Sequence, residues 1–563
     1  MAITSTTDTG TDAAAGGTTV SGVTYARADA GYFDKRQLQR SAGFWGLWGI
    51  AIAAVISGDF SGWNFGIGQA GWGGFMLAAV LVTVMYGAML FSIGEMSAAM
   101  PHTGGAYSFA RAAMGPWGGF VTGLAETVEY VMTTAVVVYF SAGYADQITK
   151  DLFGLSLPVW VWWAILYGAF LALNAAGAET SFRFAVVVSV VSLAVLVVFG
   201  VMAAFSSHLS LGSLFDITPD AGRSTFLPHG LTPVFFALPF AMWLFLGIEE
   251  LPLAAEESHM PSRDIPRAGL WGLGTLIVSA LVVVVLNPAV TGANALGTSA
   301  EPLLDGFRAM LPTGNVAAIL SAFALVGLLA STQGIMFAYG RNIYSLSRAG
   351  YYPKVLSLTG ARRTPWVALL VGALVGFVSL VLVQYGISAA GPIVLNIAVW
   401  GAVISYLLQM TSYVLLRVRF PGAARPYRSP VGIPGAVVAG LMSAAIFVGV
   451  MLNRDYRSAI VAIAVVFVVG LAAFALWGRT RLVLSPEEEY ALAGGLRSGA
   501  AEAADGTTTA GATAAVGGTT TAGATAAVGA TRAVGATTAA AAGAVAAAAD
   551  EAAPDDEPEP AVV

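Results

Sequence analysis

The sequence predicts an all-α, polytopic membrane protein with twelve transmembrane helices. Only 10% of its 563 residues are charged, whereas soluble globular proteins carry about 25%, and its mean hydropathy is +0.76. Apolar runs near the ~20 residues that cross a bilayer as a helix recur from residue 44 onward. So few charges cannot cover the surface of a soluble protein of this length, which excludes an ordinary soluble enzyme.

Twelve apolar runs are predicted to span the bilayer. In chain order they occupy residues 44–67, 72–99, 116–143, 158–177, 184–205, 232–255, 268–292, 315–340, 364–386, 391–416, 434–453 and 458–477. Only Gln69, Ala70 and Gly71 fall between the Gly-rich end of span 1 and the run that begins span 2. With the N-terminus inside, 21 of the 26 Lys and Arg residues fall on the cytoplasmic side. Because cytoplasmic loops carry an excess of basic residues, we expect a multi-pass plasma-membrane protein with both termini in the cytoplasm.

The two ends of the chain differ from its apolar middle. Residues 1–40 are rich in Thr, Ala, Gly and Asp and are predicted to be a disordered cytoplasmic N-terminus, whereas residues 41–480 form the predicted twelve-helix transporter domain. Residues 481–563 are predicted to be a low-complexity Ala/Gly/Thr tail, in which the eleven residues at 507–517 recur unchanged at 519–529. Such a tail lacks the large apolar side chains that a folded core requires.

Several function classes are disfavoured by residue types that the chain lacks. It has no cysteine, and its four histidines lie far apart and outside every predicted span. Because metal sites and nucleophile–base pairs are built from such residues, we expect neither an enzyme nor a bound metal or other cofactor. No basic stripe or recognition motif points to nucleic acid. Composition alone leaves a channel or a membrane receptor open.

Acidic residues inside the predicted spans are the first functional signal. The spans contain no Lys or Arg but six acidic residues. These are Asp59, Glu95, Glu126, Glu129, Glu249 and Glu250. A charge in the hydrocarbon region costs at least ~2.5–3.5 kcal/mol, so such residues mark transport pathways by default. Without a resident cation they are satisfied by protonation or by a cation from outside, as in a carrier of protons or ammonium compounds. A structural role remains the alternative for any single carboxylate.

Spans 1 and 6 each contain a break beside an acidic residue. Span 1 is interrupted by SGDFSG at 57–62, and span 6 by GIEELP at 247–252. The two spans are five apart, and these positions correspond in a five-plus-five inverted repeat, where matched Gly/Pro breaks indicate a midplane transport site. Unwound backbone frees N–H and C=O groups that persist only around a cavity or a ligand. The pairing favours a carrier over a channel.

Three motifs, in this order, resemble those of amino acid–polyamine–organocation (APC) permeases. GEM…MPHTGGAY at 94–107 follows span 2, FLGIE…AEE…RDIPR at 245–267 covers the end of span 6 and the next loop, and GRNIYSLSRAGYYP at 340–353 follows span 8. The resemblance covers roughly residues 40–480. It implies a LeuT-like fold of five-plus-five inverted repeats with two additional helices. It also implies a substrate held between spans 1, 3, 6 and 8 and moved by alternating access.

Within these permeases, span 1 resembles the ethanolamine permease branch. Members that carry amino acids typically have small residues in this break, whose N–H groups face the substrate carboxylate. The present chain instead has Asp59 there, within the stretch 57–64, and span 3 carries ETVEY at 126–130, which also resembles that branch. An aspartate repels a carboxylate and attracts an ammonium group. Ethanolamine has an ammonium and a hydroxyl but no carboxylate, so the charge argument and the resemblance agree.

The predicted function is secondary active import of ethanolamine or a similar small amine, coupled to protons. The expected partners are therefore that small molecule and the lipid bilayer. The predicted substrate-binding residues are Gly58, Asp59, Phe60, Ser61, Gly62, Glu126, Glu129, Trp243, Gly247, Ile248 and Glu249. Asp59 would pair with the ammonium, and Phe60, Trp63 and Trp243 would cover it by cation–π attraction, although plain packing is the better explanation for any one of these aromatics. The alternative is an amino acid/proton symporter of the same superfamily.

Four residues are candidates for ion coupling. Glu126 and Glu129 lie one turn apart on span 3 and share a face. Ionising two carboxyl groups this close together, away from water, is costly, which makes either one a candidate carrier of the coupling proton. Ser331 and Thr332 in span 8 lie where sodium-coupled relatives have a hydroxyl pair. Helix-to-helix hydrogen bonding explains them as well, so sodium coupling stays open.

Overall fold

The computed structural model describes residues 18–493 apart from residues 21, 27, 30, 312–315, 387–389 and 453–456. Its α-helices are α1 (Phe44–Val55), α2 (Ser57–Phe60), α3 (Phe65–Ala99), α4 (Ala106–Phe153), α5 (Val159–Ala175), α6 (Ala178–Ala204), α7 (Thr232–Met242), α8 (Pro261–Thr291), α9 (Ala293–Leu296), α10 (Pro302–Met310), α11 (Val316–Arg348), α12 (Trp366–Gly386), α13 (Ala390–Arg419), α14 (Gly432–Leu452), α15 (Arg457–Leu476) and α16 (Pro486–Ala493). Short 3-10 helices occupy Leu211–Phe215, Ile248–Glu257, Lys354–Ser357 and Gly478–Thr480. The three strands are β1 (Thr18–Val20), β2 (Val23–Ala26) and β3 (Leu482–Val483).

Helices occupy all twelve predicted spans, which confirms the all-α polytopic fold class. Span 1 consists of α1, α2 and the first residues of α3, and span 6 consists of α7 followed by the 3-10 helix Ile248–Glu257. Eight described helices are long and apolar enough to cross a membrane, while Phe44–Phe60 in span 1, α5, and α7 in span 6 are shorter apolar helices. The two interrupted spans are thus the two that the Gly-rich breaks predicted.

Spans 1 and 2 meet at a turn of a single glycine within α3. Gly71 has a φ of 73°, a backbone conformation that favours glycine because it has no Cβ. A Cβ at this position would also overlap the ring of Pro228. Gly115, with a φ of 81°, similarly separates the first turns of α4 from the span that follows Pro116. The few residues between spans 1 and 2 in the sequence are therefore enough to connect the two spans.

Helix α4 lies at the centre of the bundle. It packs against α11 and α13, while α3 packs on α7 and α1 packs on α6. In the most apolar stretch of α4, 89% of the residues are buried, compared with 17% in α15. Because apolar side chains can face lipid at no cost, the exposed surface of α15 indicates a peripheral helix. The central position of α4 brings its two glutamates close to spans 6, 8 and 10.

Both ends of the chain are ordered further than the sequence predicted. β1 and β2 form an antiparallel hairpin within the predicted disordered residues 1–40, and β3 pairs in parallel with β2. β3 and α16 lie within the predicted low-complexity tail. They fold because Tyr25 and Leu482 are buried in a cluster with α4 and α11. Residues 1–17 and 494–563, with the repeats, lie outside the described residues. We call the face that carries this sheet the terminal face.

Candidate functional site

The break in span 1 contains a hydroxyl group contributed by span 8. The Ser331 hydroxyl of α11 accepts a hydrogen bond from the Ser57 N–H at 2.9 Å and donates one to the Ala53 carbonyl at 2.6 Å. In an uninterrupted helix these two backbone groups would bond each other, because they are four residues apart. An inserted side chain is a recognised cause of a helix kink. Beyond α2 the chain unwinds, with Ser61 extended and Gly62 at a φ of 94°.

The breaks of spans 1 and 6 pack directly against each other. After α7 the chain makes a turn that includes Trp243 before the 3-10 helix begins. Gly58 lies so close to the Trp243 carbonyl that a Cβ would overlap it. A Cβ at Gly62 would lie 2.8 Å from Trp243 Nε1. Gly58 is therefore needed for close approach of the two backbones and Gly62 for the position of the indole, and the two predicted breaks lie together.

Asp59 is a buried carboxylate without a resident partner. Its side chain is 1% exposed, and neither carboxylate oxygen has a hydrogen-bond partner among the described residues. The Ser279 hydroxyl of α8 faces it, but that hydroxyl donates to the Leu276 carbonyl of its own helix at 3.1 Å. Because an isolated buried charge is costly, Asp59 requires either a proton or a cation that the described residues do not supply.

A pair of carboxyl groups joins span 3 to the span 6 break. Glu129 and Glu249 lie within hydrogen-bonding reach of one another. The Tyr406 hydroxyl of α13 donates to Glu129 Oε1 at 3.0 Å, and the Gly247 N–H donates to Glu249 Oε2 at 3.1 Å. Apart from the opposite carboxyl group, their other oxygens have no partner in the part of the chain that the structure describes. Two carboxyl groups can bond each other only when one is protonated, so the geometry suits a shared proton.

Glu126 has a different set of partners from Glu129. It accepts hydrogen bonds from Tyr130 at 3.3 Å and from the Asn342 amide of α11 at 3.1 Å. The Asn342 carbonyl oxygen in turn accepts from Thr127 at 2.7 Å. Both oxygens of Glu126 are therefore satisfied within the protein. Of the two predicted coupling glutamates, Glu129 is the one that contacts span 6.

Phe60 and Ser61 are used mainly in packing. The Phe60 carbonyl accepts a hydrogen bond from Tyr144 at 2.9 Å, and its ring lies against Gly327 of α11. The Ser61 hydroxyl donates to the Ala300 carbonyl at 3.1 Å, in the segment that leads to α10. Both residues lie in the span 1 break, and their predicted contact with substrate stays a prediction. Their polar groups are already paired across the bundle.

Three further predicted residues lie at the edge of the site. Gly247 has a φ of 109° and lies against Ile335 of α11. The Ile248 side chain packs on α8 near Gly272. Thr332 donates to the Leu328 carbonyl of its own helix at 3.1 Å. The Ser331 hydroxyl bridges the span 1 break, which fits the helix-to-helix interpretation of this hydroxyl pair.

The sequence did not indicate the tyrosines around the carboxyl pair. Tyr406 and Tyr86 are fully buried, and their hydroxyls lie 3.1 Å apart. Each tyrosine lies in an apolar stretch of the sequence, where an aromatic residue usually serves only to pack against its neighbours. Ser279 and Asn342 are similarly ordinary polar residues in apolar helices. Their role becomes visible only when the three-dimensional contacts to carboxylates are known.

A groove between α6 and α8 opens on the outer surface of the bundle. It has a volume of about 700 Å³ and is lined mainly by apolar side chains, among them Leu196 and Val278. Ser279 forms part of its wall and faces Asp59 on its inner side. An apolar surface groove of this kind suits lipid chains. The carboxylates themselves are buried behind it, because Asp59, Glu129 and Glu249 are each at most 3% exposed.

Comparison with known proteins identifies the family. Residues 46–485 match the amino acid permease family model. The chain belongs to the amino acid permease family. It is therefore a polytopic secondary transporter with the LeuT-like fold of that family and not an enzyme. The predicted APC superfamily membership is confirmed.

The relatives of this permease differ in what their names state. An uncharacterised transporter of Rhizobium meliloti is 25% identical over 74% of this chain and 87% of its own length. A putative histidine permease of Bacillus subtilis is 27% identical over 68% of this chain and 81% of its own. A gamma-aminobutyric acid permease of Escherichia coli is 25% identical, covering 65% and 78%. These relatives support a small-molecule substrate, whereas the ethanolamine branch remains a proposal.

Proposed function

We propose that this permease imports a small organic amine such as ethanolamine, with Asp59 as the counter-charge of the substrate ammonium. The observation that carries the proposal is the absence of any hydrogen-bond partner for the Asp59 carboxylate among the described residues. A charge at this depth costs at least ~2.5–3.5 kcal/mol. A bound ammonium would offset that cost, while an empty site would have to take up a proton. The carboxylate and a cationic substrate are therefore complementary.

The carboxyl pair supports coupling to protons. Glu129 belongs to span 3, and Glu249 belongs to the break in span 6. A proton shared by the two would hold these elements together, and its loss would leave two facing charges that repel each other. Protonation can thereby be linked to movement of the span 6 break. The Ser331 hydroxyl is already bonded to two backbone groups of span 1, which favours protons over sodium as the coupling ion.

An amino acid substrate is the second candidate. Trp243 Nε1 is a buried donor without a partner in the described chain and lies beside Gly62, so it could receive a substrate carboxylate. The names of the relatives also favour amino acids, among them a gamma-aminobutyric acid permease and an L-asparagine permease. In an amino acid with a distant amine, Asp59 and the indole could bind opposite ends.

We also propose that the terminal face is cytoplasmic and that the protein resides in the plasma membrane. The support is the distribution of basic residues along the sequence, which predicts that 21 of the 26 lie on the cytoplasmic side. Positively charged segments are retained in the cytoplasm during insertion. In this orientation the N-terminal hairpin and α16 would meet the cytoplasm.

Uptake into proteoliposomes tests the substrate. Labelled ethanolamine would be presented with an inward proton gradient and competed with unlabelled ethanolamine, γ-aminobutyrate and a panel of α-amino acids. Saturable uptake suppressed by small amines, but not by α-amino acids, is expected. Uptake of an amino acid without any uptake of ethanolamine would overturn the amine proposal and favour the second candidate. Trans-stimulated exchange in the same vesicles would separate a carrier from a channel.

A further inference from the structure

The segment at 482–493, comprising β3 and α16, docks into the terminal face together with the N-terminal hairpin. β2 and β3 are parallel, with Tyr25 opposite Leu482 and Ala26 opposite Val483. The Val483 N–H also donates to the Ala349 carbonyl beyond α11 at 2.9 Å. The sequence PEEEY that follows resembles an ordinary solvated charge run. The structure instead buries two of its three glutamates.

Glu488 occupies a site that is complementary to a carboxylate. Its side chain is fully buried and accepts hydrogen bonds from four groups. The donors are Tyr25 at 2.6 Å, Tyr107 at 2.7 Å, Arg111 at 2.5 Å and Tyr351 at 2.8 Å. They come from β2, from α4 and from the loop after α11. A charge-assisted cluster of this kind is strong only while all its members are in place.

Glu487 binds a second arginine, Arg348, in the last turn of α11. It contacts the Arg348 guanidinium at 2.5 Å and accepts from the Ser345 hydroxyl at 2.9 Å. Burial alone would raise the pKa of Glu487, but Arg348 outweighs it and holds that pKa below its usual range. Arg348 also bonds Glu256, at the end of span 6, at 2.6 Å. The Arg348 guanidinium at the end of α11 thus joins the end of span 6 to the C-terminal segment.

The docked segment crosses the seam through which the central site would open to the terminal face. The Tyr490 hydroxyl donates to the Ala99 carbonyl at the end of span 2 at 3.1 Å, while Glu488 bonds Arg111 below span 3. The seam itself is closed where the Ala42 N–H, just before span 1, donates to the Glu257 carbonyl at 2.9 Å. A substrate between spans 1, 3, 6 and 8 can leave on this side only if those contacts part.

We propose that the segment at 482–493 is a latch, an intramolecular ligand that holds the seam at the terminal face closed and must undock for that face to open. Its carboxylates bond α4 and the end of α11, its Tyr490 hydroxyl bonds the end of α3, and Arg348 connects Glu487 to Glu256 at the end of span 6. Separation of α4 and α11 from α3 and span 6 must therefore break some of these bonds. The N-terminal hairpin contributes Tyr25 to the same cluster, so the two chain ends act together. The inference rests on the transport activity of the family and not on the identity of the substrate.

The first experiment frees the latch without reference to a substrate. Because the chain has no cysteine, Ser258→Cys provides a single reporter; Ser258 is fully buried at the seam, and its hydroxyl has no partner in the described chain. Glu488→Gln removes the buried charge, and Glu489→Gln is the matched control because Glu489 is exposed. We expect N-ethylmaleimide to modify the reporter at least tenfold faster with Glu488→Gln and at an unchanged rate with Glu489→Gln.

Amide hydrogen exchange of residues 482–493 shows separately whether the segment has undocked in each variant. If Glu488→Gln speeds amide exchange of the segment but leaves the rate of Ser258→Cys labelling unchanged, the latch proposal is wrong, because the seam would then stay closed with the segment undocked. Unchanged exchange in the same variant would overturn the assignment of Glu488 as the group that holds the segment. Rapid labelling of the reporter in the otherwise unchanged protein would show that the docked segment does not close the seam.

The second experiment holds the latch in place. Ala99→Cys with Tyr490→Cys, bridged by a short bifunctional methanethiosulfonate, ties α16 to the end of span 2. Uptake of labelled ethanolamine by the bridged double variant should fall at least tenfold and recover after dithiothreitol. In each single variant, the same reagent should leave uptake unchanged, because it has no second cysteine to bridge. Full transport by the bridged protein would overturn the proposal. If the unbridged protein takes up no ethanolamine, the substrate proposal fails. The labelling of Ser258→Cys would still test the latch proposal, because it needs no substrate.

Discussion

At the centre of the bundle, Asp59, Glu129 and Glu249 are each at most 3% exposed, and no described arginine pairs with them. At the terminal face, Glu257 and Glu488 are as deeply buried, but each is bonded to an arginine. The two groups of carboxylates share residue type and burial and differ in their partners. Since a buried charge needs a partner, the central group is open to a cation or proton that comes and goes.

The difference separates structural carboxylates from transport carboxylates. Arg341 binds Glu257 through two nitrogens, at 2.8 and 3.0 Å, with both side chains fully buried. Such a pair stabilises the fold only while both members remain. Neutralising a central carboxylate without a resident partner breaks no ion pair, so it should not lower the stability of the fold. Substitution should therefore damage stability at the terminal face and transport at the centre.

Removing the charge of Glu257 should have the largest effect, on stability. Glu257→Gln leaves Arg341 buried without a counter-charge, and breaking a buried pair costs about 3–5 kcal/mol. Thermal unfolding in detergent would measure it. Glu179→Gln is the matched control, because Glu179 pairs with Arg183 on the surface and such pairs contribute about 0.3–0.5 kcal/mol. Equal melting temperatures of the two variants would contradict a structural role for the buried pair.

Asp59→Asn should lose transport while keeping its stability. We expect uptake of labelled ethanolamine to fall about 100-fold, equivalent to about 2.7 kcal/mol of lost stabilisation, because the amide cannot neutralise an ammonium group. The melting temperature should be unchanged or higher, since no described partner of Asp59 is lost. A variant that transports normally would show that the substrate charge is met elsewhere.

Glu129→Gln should uncouple transport from the proton gradient. The amide cannot release a proton, so we expect stimulation of uptake by an inward proton gradient to fall about tenfold, about 1.4 kcal/mol. Exchange of labelled for unlabelled substrate should persist. Glu126→Gln provides the comparison, because Glu126 is already satisfied by Tyr130 and Asn342. Intact gradient stimulation in Glu129→Gln would remove the carboxyl pair from the coupling mechanism.

Ser331→Ala should have the smallest effect. It removes one hydroxyl that bonds two backbone groups of span 1, and a lost hydrogen bond costs about 1 kcal/mol. We expect a modest fall in melting temperature and uptake that is independent of sodium in both proteins. If the unchanged protein proves to need sodium and Ser331→Ala abolishes that need, the hydroxyl would be an ion ligand instead.

The sequence predicted the parts of the molecule that depend on local pattern. Apolar run length predicted the twelve spans, and the glycines around Asp59 and Glu249 predicted the two breaks. The pairing of Glu129 with Glu249 was not predictable, because it depends on how span 3 is rotated against span 6. The burial of Glu487 and Glu488 was missed because a run of glutamates is normally solvated, and only the arginines and tyrosines of distant helices reverse that expectation.

Equilibrium binding of labelled ethanolamine to purified protein shows whether the central carboxylates serve mobile cations. Wild-type protein and Asp59→Asn would be compared at matched melting temperature, with Glu129→Gln in parallel. We expect saturable binding to the wild type and to Glu129→Gln, and binding at least 100-fold weaker in Asp59→Asn. Equal binding by Asp59→Asn and the wild type would contradict it, because the unpaired aspartate would then have no part in recognising the amine.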